Sequence, residues 1–337
     1  MLKRLMLVFV SLLATVIPAT AATLISGAGA TFPYPLYAKW FGEYAKIDKD
    51  VRFNYQAIGS GEGIRLITAQ TVDFGASDKF LSDEELKAAP GKLLHIPTVM
   101  GAVVVTYNIP GIGSGIKIPS EDLADIYLGK ITKWNDPRLT GNNPGVKLPD
   151  KAIIIVHRSD RSGTTSIFTD YLSSVNQEWA AKVGKGAAVK WPVGFGGKGN
   201  EGVASLVKKT KYALGYVDLA HALANKLPYA HLKNREGEYV EPTIKSITAA
   251  AGAAPQMPAD YRTSLVNQPG QESYPAVGFT WIVVYEQQKD KSKGQKLVDF
   301  LTWSIHDGQK LAAPLGYAPL PGNVAKMVEK TIKDIRY

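Results

Sequence analysis

Cysteine is absent from all 337 residues. That excludes disulfides, thiolate metal sites, cysteine nucleophiles and a lipidated N-terminal cysteine as a membrane tether. Histidine is scarce as well. His95, His157, His221, His231 and His306 form no HExxH or comparable spacing, so no local zinc motif is present. The carboxylates form no recognisable calcium loop, and neither a G-x-S-x-G elbow nor a P-loop occurs. No Lys/Arg block is dense enough for a nucleic-acid tract, and no run beyond the first residues is long and apolar enough to span a bilayer.

The chain does have a leader pattern. Lys3 and Arg4 precede the apolar stretch Leu5–Ile17, and Ala19-Thr20-Ala21 supplies a small-x-small cleavage site. This predicts a cleavable signal peptide over 1–21 rather than a membrane span. Its removal takes Lys3 and Arg4 away, so the net charge falls from +9 to +7. An exported chain without a lipid anchor is expected loose in a periplasm. With 45% hydrophobic and 20% charged residues it reads as an ordinary globular protein, long enough for two domains.

Strand–loop–helix units recur. Leu24-Ile25 runs into "SGAGATFP", after which Leu36, Tyr37, Trp40, Phe41 and Tyr44 share one helical face, with Pro33 and Pro35 suited to the first turn. Val51, Phe53 and Tyr55 alternate as a strand leading to "GSGEG". The apolar run Ala152–Val156 enters "VHRSDRSGTTSIF", followed by a helical face at Ile167, Phe168, Tyr171, Leu172 and Val175. The alternation predicts an α/β architecture with parallel sheets. Two long apolar strands, Gly101–Ile109 and Gly278–Glu286, permit the chain to leave one lobe and return to it. The lobes would then be 22–105 plus 275–337, and 106–274. "GFGGKG" (Gly194–Gly199) satisfies G-x-G-x-x-G with Asp218 beyond it, but "KWPVG" makes a poor preceding strand, so a flexible turn is expected there. Ile247–Pro258 reads as a surface helix end and loop.

Three bends combine glycine or alanine with hydroxyls at a helix start: Ala30-Thr31-Phe32, Gly59-Ser60-Gly61 and Ser162-Gly163-Thr164. Each would aim free N–H groups and the positive end of a helix dipole at one point. One such bend is an ordinary cap; three, with Arg158 beside the last and Asp160 placed to orient its guanidinium, point to an anion site. Asp78 looks wrong there, because a buried carboxylate repels anions. It suits an anion that keeps a proton. Phosphate at neutral pH can donate to Asp78, whereas sulfate cannot. The alternative is that Asp78 caps the helix carrying Leu81 and Leu86.

The segments "GAGATFPYPLYAKW", "YQAIGSGEG", "TVDFGASD", "IYLGKITKWNDP", "RSDRSGTTSIFTDYL" and "VGFGGKGNEGV" closely resemble the periplasmic phosphate-binding proteins of high-affinity phosphate ABC transporters. The resemblance runs in order from about Leu24 to "PLPGNV". It implies an α/β, two-lobed type II binding-protein fold with hinge strands and a ligand cleft between the lobes. It implies phosphate held by Thr31, Phe32 (through its N–H), Ser60, Asp78, Arg158, Ser162, Gly163 and Thr164, with Asp160 pairing Arg158. It further implies a monomer without cofactor, catalytic residue or nucleic-acid partner, serving an inner-membrane permease and ATPase. Arg161 stands where such proteins commonly have glycine, so its side chain points either outward or to the cleft rim.

Overall fold

The computed structural model describes residues 22–337; the segment read as a leader lies outside them. The strands are β1 (Thr23–Gly29), β2 (Val51–Ala57), β3 (Phe74–Ser77), β4 (Leu93–Tyr107), β5 (Lys117–Ile118) and β6 (Ile154–Arg158). They continue as β7 (Phe195–Gly197), β8 (Ala213–Asp218), β9 (His231–Lys233), β10 (Tyr239–Val240) and β11 (Val277–Tyr285). Eight form a sheet in the order β2-β1-β3-β11-β4-β8-β6-β7, and β10-β9-β5 form a small second one.

β1 lies parallel to β2 and β3, and β6 parallel to β7 and β8, as strand–helix alternation predicts. The long apolar strands depart from that expectation. β11 runs antiparallel to β3 and β4, and β4 antiparallel to β8. β4 pairs with both halves of the sheet, so its direction follows the passage of the chain between them rather than a βαβ unit. β4 pairs with β11 from Leu93 to Ala102 and with β8 from Val103 to Tyr107. All of its residues are buried, which explains its largely apolar composition; the buried polar exceptions are His95, Thr98 and Thr106.

The helices form where the periodicity places them. Tyr34–Ile47 buries Leu36, Tyr37, Trp40 and Tyr44; Pro35 lies in its first turn and Pro33 at the cap, where a missing N–H costs little. Burying each such side chain contributes roughly 1.5–3 kcal/mol, and Trp40 also donates its Nε1–H to the Gly308 carbonyl at 2.7 Å. Gly163–Val175 buries Ile167, Phe168, Tyr171 and Leu172, with Phe168 stacked on Tyr216 at 4.2 Å between ring centroids. The stretch read as a surface helix end and loop is the end of the helix Ile244–Gly252, which Thr243 and Ser246 cap reciprocally and which buries Ile247 and Ala250, followed by irregular chain to Pro258.

The glycine run 194–199 is not a flexible turn. Phe195–Gly197 is β7, paired with Val156–Arg158, and Gly199 opens the helix Gly199–Lys209. A Cβ on Gly196 would lie 2.6 Å from the Ser159 Cβ, and one on Gly197 2.8 Å from the Gly202 backbone. These glycines let two backbones approach, which is a packing role. Among the described residues no helix is long and apolar enough to cross a membrane.

Candidate functional site

β1 and β2 in one half of the sheet, and β6 and β7 in the other, form two parallel pairs, and each of these strands ends in a bend that starts a helix. The sheet brings these carboxyl ends together, the usual location of ligand sites in α/β folds. The lobes touch there directly. The Gly163 N–H donates to Ser60 Oγ at 3.0 Å, Gly61 N–H to the Arg161 carbonyl at 2.9 Å, and Asn200 N–H to Thr31 Oγ1 at 3.2 Å.

Ser60 sits in the first turn of Ser60–Thr68, after Gly59 at φ 103°, a conformation that favours glycine. Its Oγ also accepts from the Asp78 N–H at 3.2 Å. Asp78 is 4% exposed and accepts from Thr280 Oγ1 at 2.9 Å. Burial pushes its pKa up to about 7, against the opposing pull of Thr280, Arg158 and Ser60. Asp78 is not a cap, since Ser82 and Glu85 cap the following helix reciprocally. Thr31 is buried, and Phe32 packs beside Gly101 while its carbonyl accepts from Tyr317 Oη at 2.6 Å. Among the described residues no backbone carbonyl accepts the Phe32 N–H, leaving it free to bind a ligand.

Ser162 caps the helix Gly163–Val175 through the Thr165 N–H. Arg158 is 3% exposed, with Nε 2.8 Å from Asp160 Oδ1 and Nη2 2.5 Å from Oδ2, a bidentate pair that fixes the guanidinium plane. Burial works against the charge of Asp160, but Arg158 and the Gly199 N–H hold its carboxyl below the usual range. Nη1 faces Thr164 Oγ1 at 3.4 Å. Arg161 lies at the cleft rim: it is exposed, and its side chain lies across Gly61, where a Cβ would meet it at 2.3 Å.

All eight expected ligand residues thus line one locus, with Asp160 behind Arg158. Others carried no local signal. Asn200 bridges Arg158 and Thr164, Thr280 holds Asp78, and Tyr216 Oη accepts the Arg158 N–H at 3.2 Å. Asp218, the acidic residue of the rejected dinucleotide pattern, caps the helix Leu219–Asn225 and pairs with His221 Nδ1 at 2.6 Å. His221 Nε2 meets Glu201 at 3.0 Å. Burial opposes its charge, but Asp218 and Glu201 outweigh that and push its pKa up to about 10. Among the described residues no group of His, Asp and Glu is placed to hold a metal ion.

The two-lobed α/β sheet, with buried donors converging between its halves, defines a solute-binding protein. A PBP superfamily domain matches residues 15–307. The phosphate-binding protein PstS of Pasteurella multocida (strain Pm70) is 45% identical over 98% of this chain and 95% of its own length. PstS of Xylella fastidiosa (strain 9a5c) is 46% identical over 92% and 85%. The chain belongs to this family of phosphate-binding proteins within the PBP superfamily. A high-affinity periplasmic phosphate-binding protein solved with phosphate at pH 8.5 shares the fold, with TM-score 0.74 and 21% identity over 91% of this chain and 93% of its own.

Proposed function

We propose that this protein binds inorganic phosphate in the periplasm and delivers it to the permease and ATPase of an inner-membrane ABC importer. The relatives bear the name of phosphate-binding proteins, and the locus has the right chemistry. Thr31, Ser60, Arg158, Ser162 and Thr164, with the N–H group of Phe32, supply donors, and Gly163 lies beside them with its N–H given to Ser60 Oγ. The observation that carries the reading is Asp78, a buried carboxylate among those donors. It accepts a proton that phosphate has and sulfate lacks. A mismatched buried charge costs several kcal/mol, and every ~1.4 kcal/mol is tenfold in affinity.

The proposal is a monomeric binder rather than an enzyme. Among the described residues no histidine hydrogen-bonds to Ser60, Ser162, Thr31 or Thr164, so no side-chain base of that kind stands behind a hydroxyl nucleophile. We place the lobes at 22–105 plus 275–337 and at 106–274; the change of partner along β4 between Ala102 and Val103 supports the division. Closure over the ligand would let both lobes contact it at once. Calorimetry of the mature protein stripped of ligand, titrated with phosphate and then sulfate, tests the reading. Tight phosphate binding with sulfate weaker by about a thousandfold is expected; comparable affinities would overturn the role of Asp78.

A further inference from the structure

We propose that Asn200 is a positioning residue that sets the hydrogen-bond polarity of the Thr164 hydroxyl, turning it into an obligate donor toward the bound anion, while its backbone N–H occupies one acceptor site of the Thr31 hydroxyl. The inference rests on the phosphate reading above and adds a residue to it.

Asn200 is fully buried in the first turn of Gly199–Lys209. Its Oδ1 lies 3.1 Å from Arg158 Nη1. A guanidinium can only donate, so that contact fixes which end of the amide is oxygen. The other end, Nδ2, must then face Thr164 Oγ1, which it does at 3.1 Å. Thr164 Oγ1 also faces Arg158 Nη1 at 3.4 Å. Two obligate donors occupy the acceptor side of this hydroxyl, so its hydrogen has to point elsewhere. Among the described residues no protein group accepts it, and its helix start faces the cleft. On the opposite lobe the Asn200 backbone N–H donates to Thr31 Oγ1 at 3.2 Å, occupying one acceptor site of that hydroxyl. A single residue thus contacts one hydroxyl on each lobe, and it can do so for Thr31 only when the lobes are closed.

The support behind Asn200 is built in the same way. Its neighbour Glu201 is tied to His221, and His221 to Asp218, the cap of the next helix. Gly199, at φ 70°, donates to Asp160 Oδ1 at 3.1 Å. The helix start is therefore pinned on both sides of Asn200.

The test is phosphate calorimetry on Asn200→Ala in three backgrounds: wild type, Thr164→Val and Thr31→Val, with melting temperatures taken without phosphate to confirm folding. In the wild type Asn200→Ala is expected to weaken phosphate about tenfold or more. With Thr164→Val the further loss should shrink to about twofold, because the hydroxyl it acts on is gone. With Thr31→Val the full loss should persist, because the backbone N–H remains in alanine. Asn200→Asp, which can only accept from Thr164 and adds a negative charge, should cost about a hundredfold or more. Equal losses in all three backgrounds, or no loss in the wild type, would overturn the role of Asn200 while leaving phosphate binding intact. A wild-type protein that captures no phosphate overturns the functional reading itself, and this inference with it.

Discussion

Gly163 donates its backbone N–H to Ser60 Oγ at 3.0 Å across the cleft, although 103 positions separate them. A Cβ at 163 would stand 2.5 Å from that oxygen and 2.7 Å from the Asp78 Cβ and N. Alanine suits the first helical position, so Gly163→Ala should cost little in the fold itself. The clash arises only when the lobes meet. Phosphate affinity is expected to fall by about a hundredfold or more, with the ligand-free melting temperature nearly unchanged. Wild-type affinity in calorimetry would show that closure does not need this contact.

The two arginines of the same bend should behave differently. Arg158→Ala removes the buried partner of Asp160 and leaves a charge uncompensated, an effect of about 3–5 kcal/mol in buried pairs. It is expected to abolish measurable phosphate binding and lower the melting temperature. Arg161→Ala keeps the carbonyl that accepts the Gly61 N–H and removes only an exposed charge. Its loss should stay within about threefold and shrink further with added salt. Equal, salt-independent losses would count against this division of roles.

Asp78 makes anion selectivity depend on pH. With its pKa pushed up to about 7 by burial, it is largely ionised at pH 8 and largely protonated at pH 5 in the ligand-free protein. A protonated acid can donate to sulfate instead of repelling it. The phosphate-to-sulfate affinity ratio is therefore expected to fall as pH drops from 8 to 5, and to be small and nearly flat in Asp78→Asn. The folded-state pKa lies above the unfolded one, so Asp78 also lowers stability as pH rises through about 4 to 7. Asp78→Asn should gain melting temperature over the wild type across that window. A pH-independent ratio in the wild type would reject the assignment.

His221 reports in a different window. Its pKa is pushed up to about 10 by Asp218 and Glu201, above the ordinary value of 6.5. Its stabilising contribution is fully present below about 6.5 and is lost as pH rises through about 10. Between pH 7 and 10 the wild type should therefore lose several degrees of melting temperature more than His221→Gln does. Parallel curves for the two proteins would mean that the Glu201–His221–Asp218 trio contributes no ionic stabilisation.

Much of the site was legible in the chain because its signals are local. Thr31, Ser60 and Ser162 sit where a glycine- or alanine-bearing bend meets a helical period, and Arg158 lies two positions from its own partner, Asp160. The role proposed for Asp78 rests on chemistry: a buried carboxylate is in the wrong company unless the anion brings a proton. The glycine run 194–199 was misread because its glycines answer to Ser159 and Gly202, neighbours in space that no short pattern reveals. The direction of β4 and β11 was missed for a related reason: apolar content signals burial and is blind to strand polarity.

By itself, the sequence determined the helical faces, the helix starts that offer N–H groups, and the clustering of hydroxyls beside Arg158 and Asp160, because each depends on neighbours a few positions apart. Tertiary structure alone decided that Asn200 joins Arg158, Thr164 and Thr31, that Thr280 holds Asp78, and that β4 serves both halves of the sheet. Those relationships bind residues 36 to 202 positions apart, or follow from how strands pair, and only the packed chain brings such partners within hydrogen-bond reach.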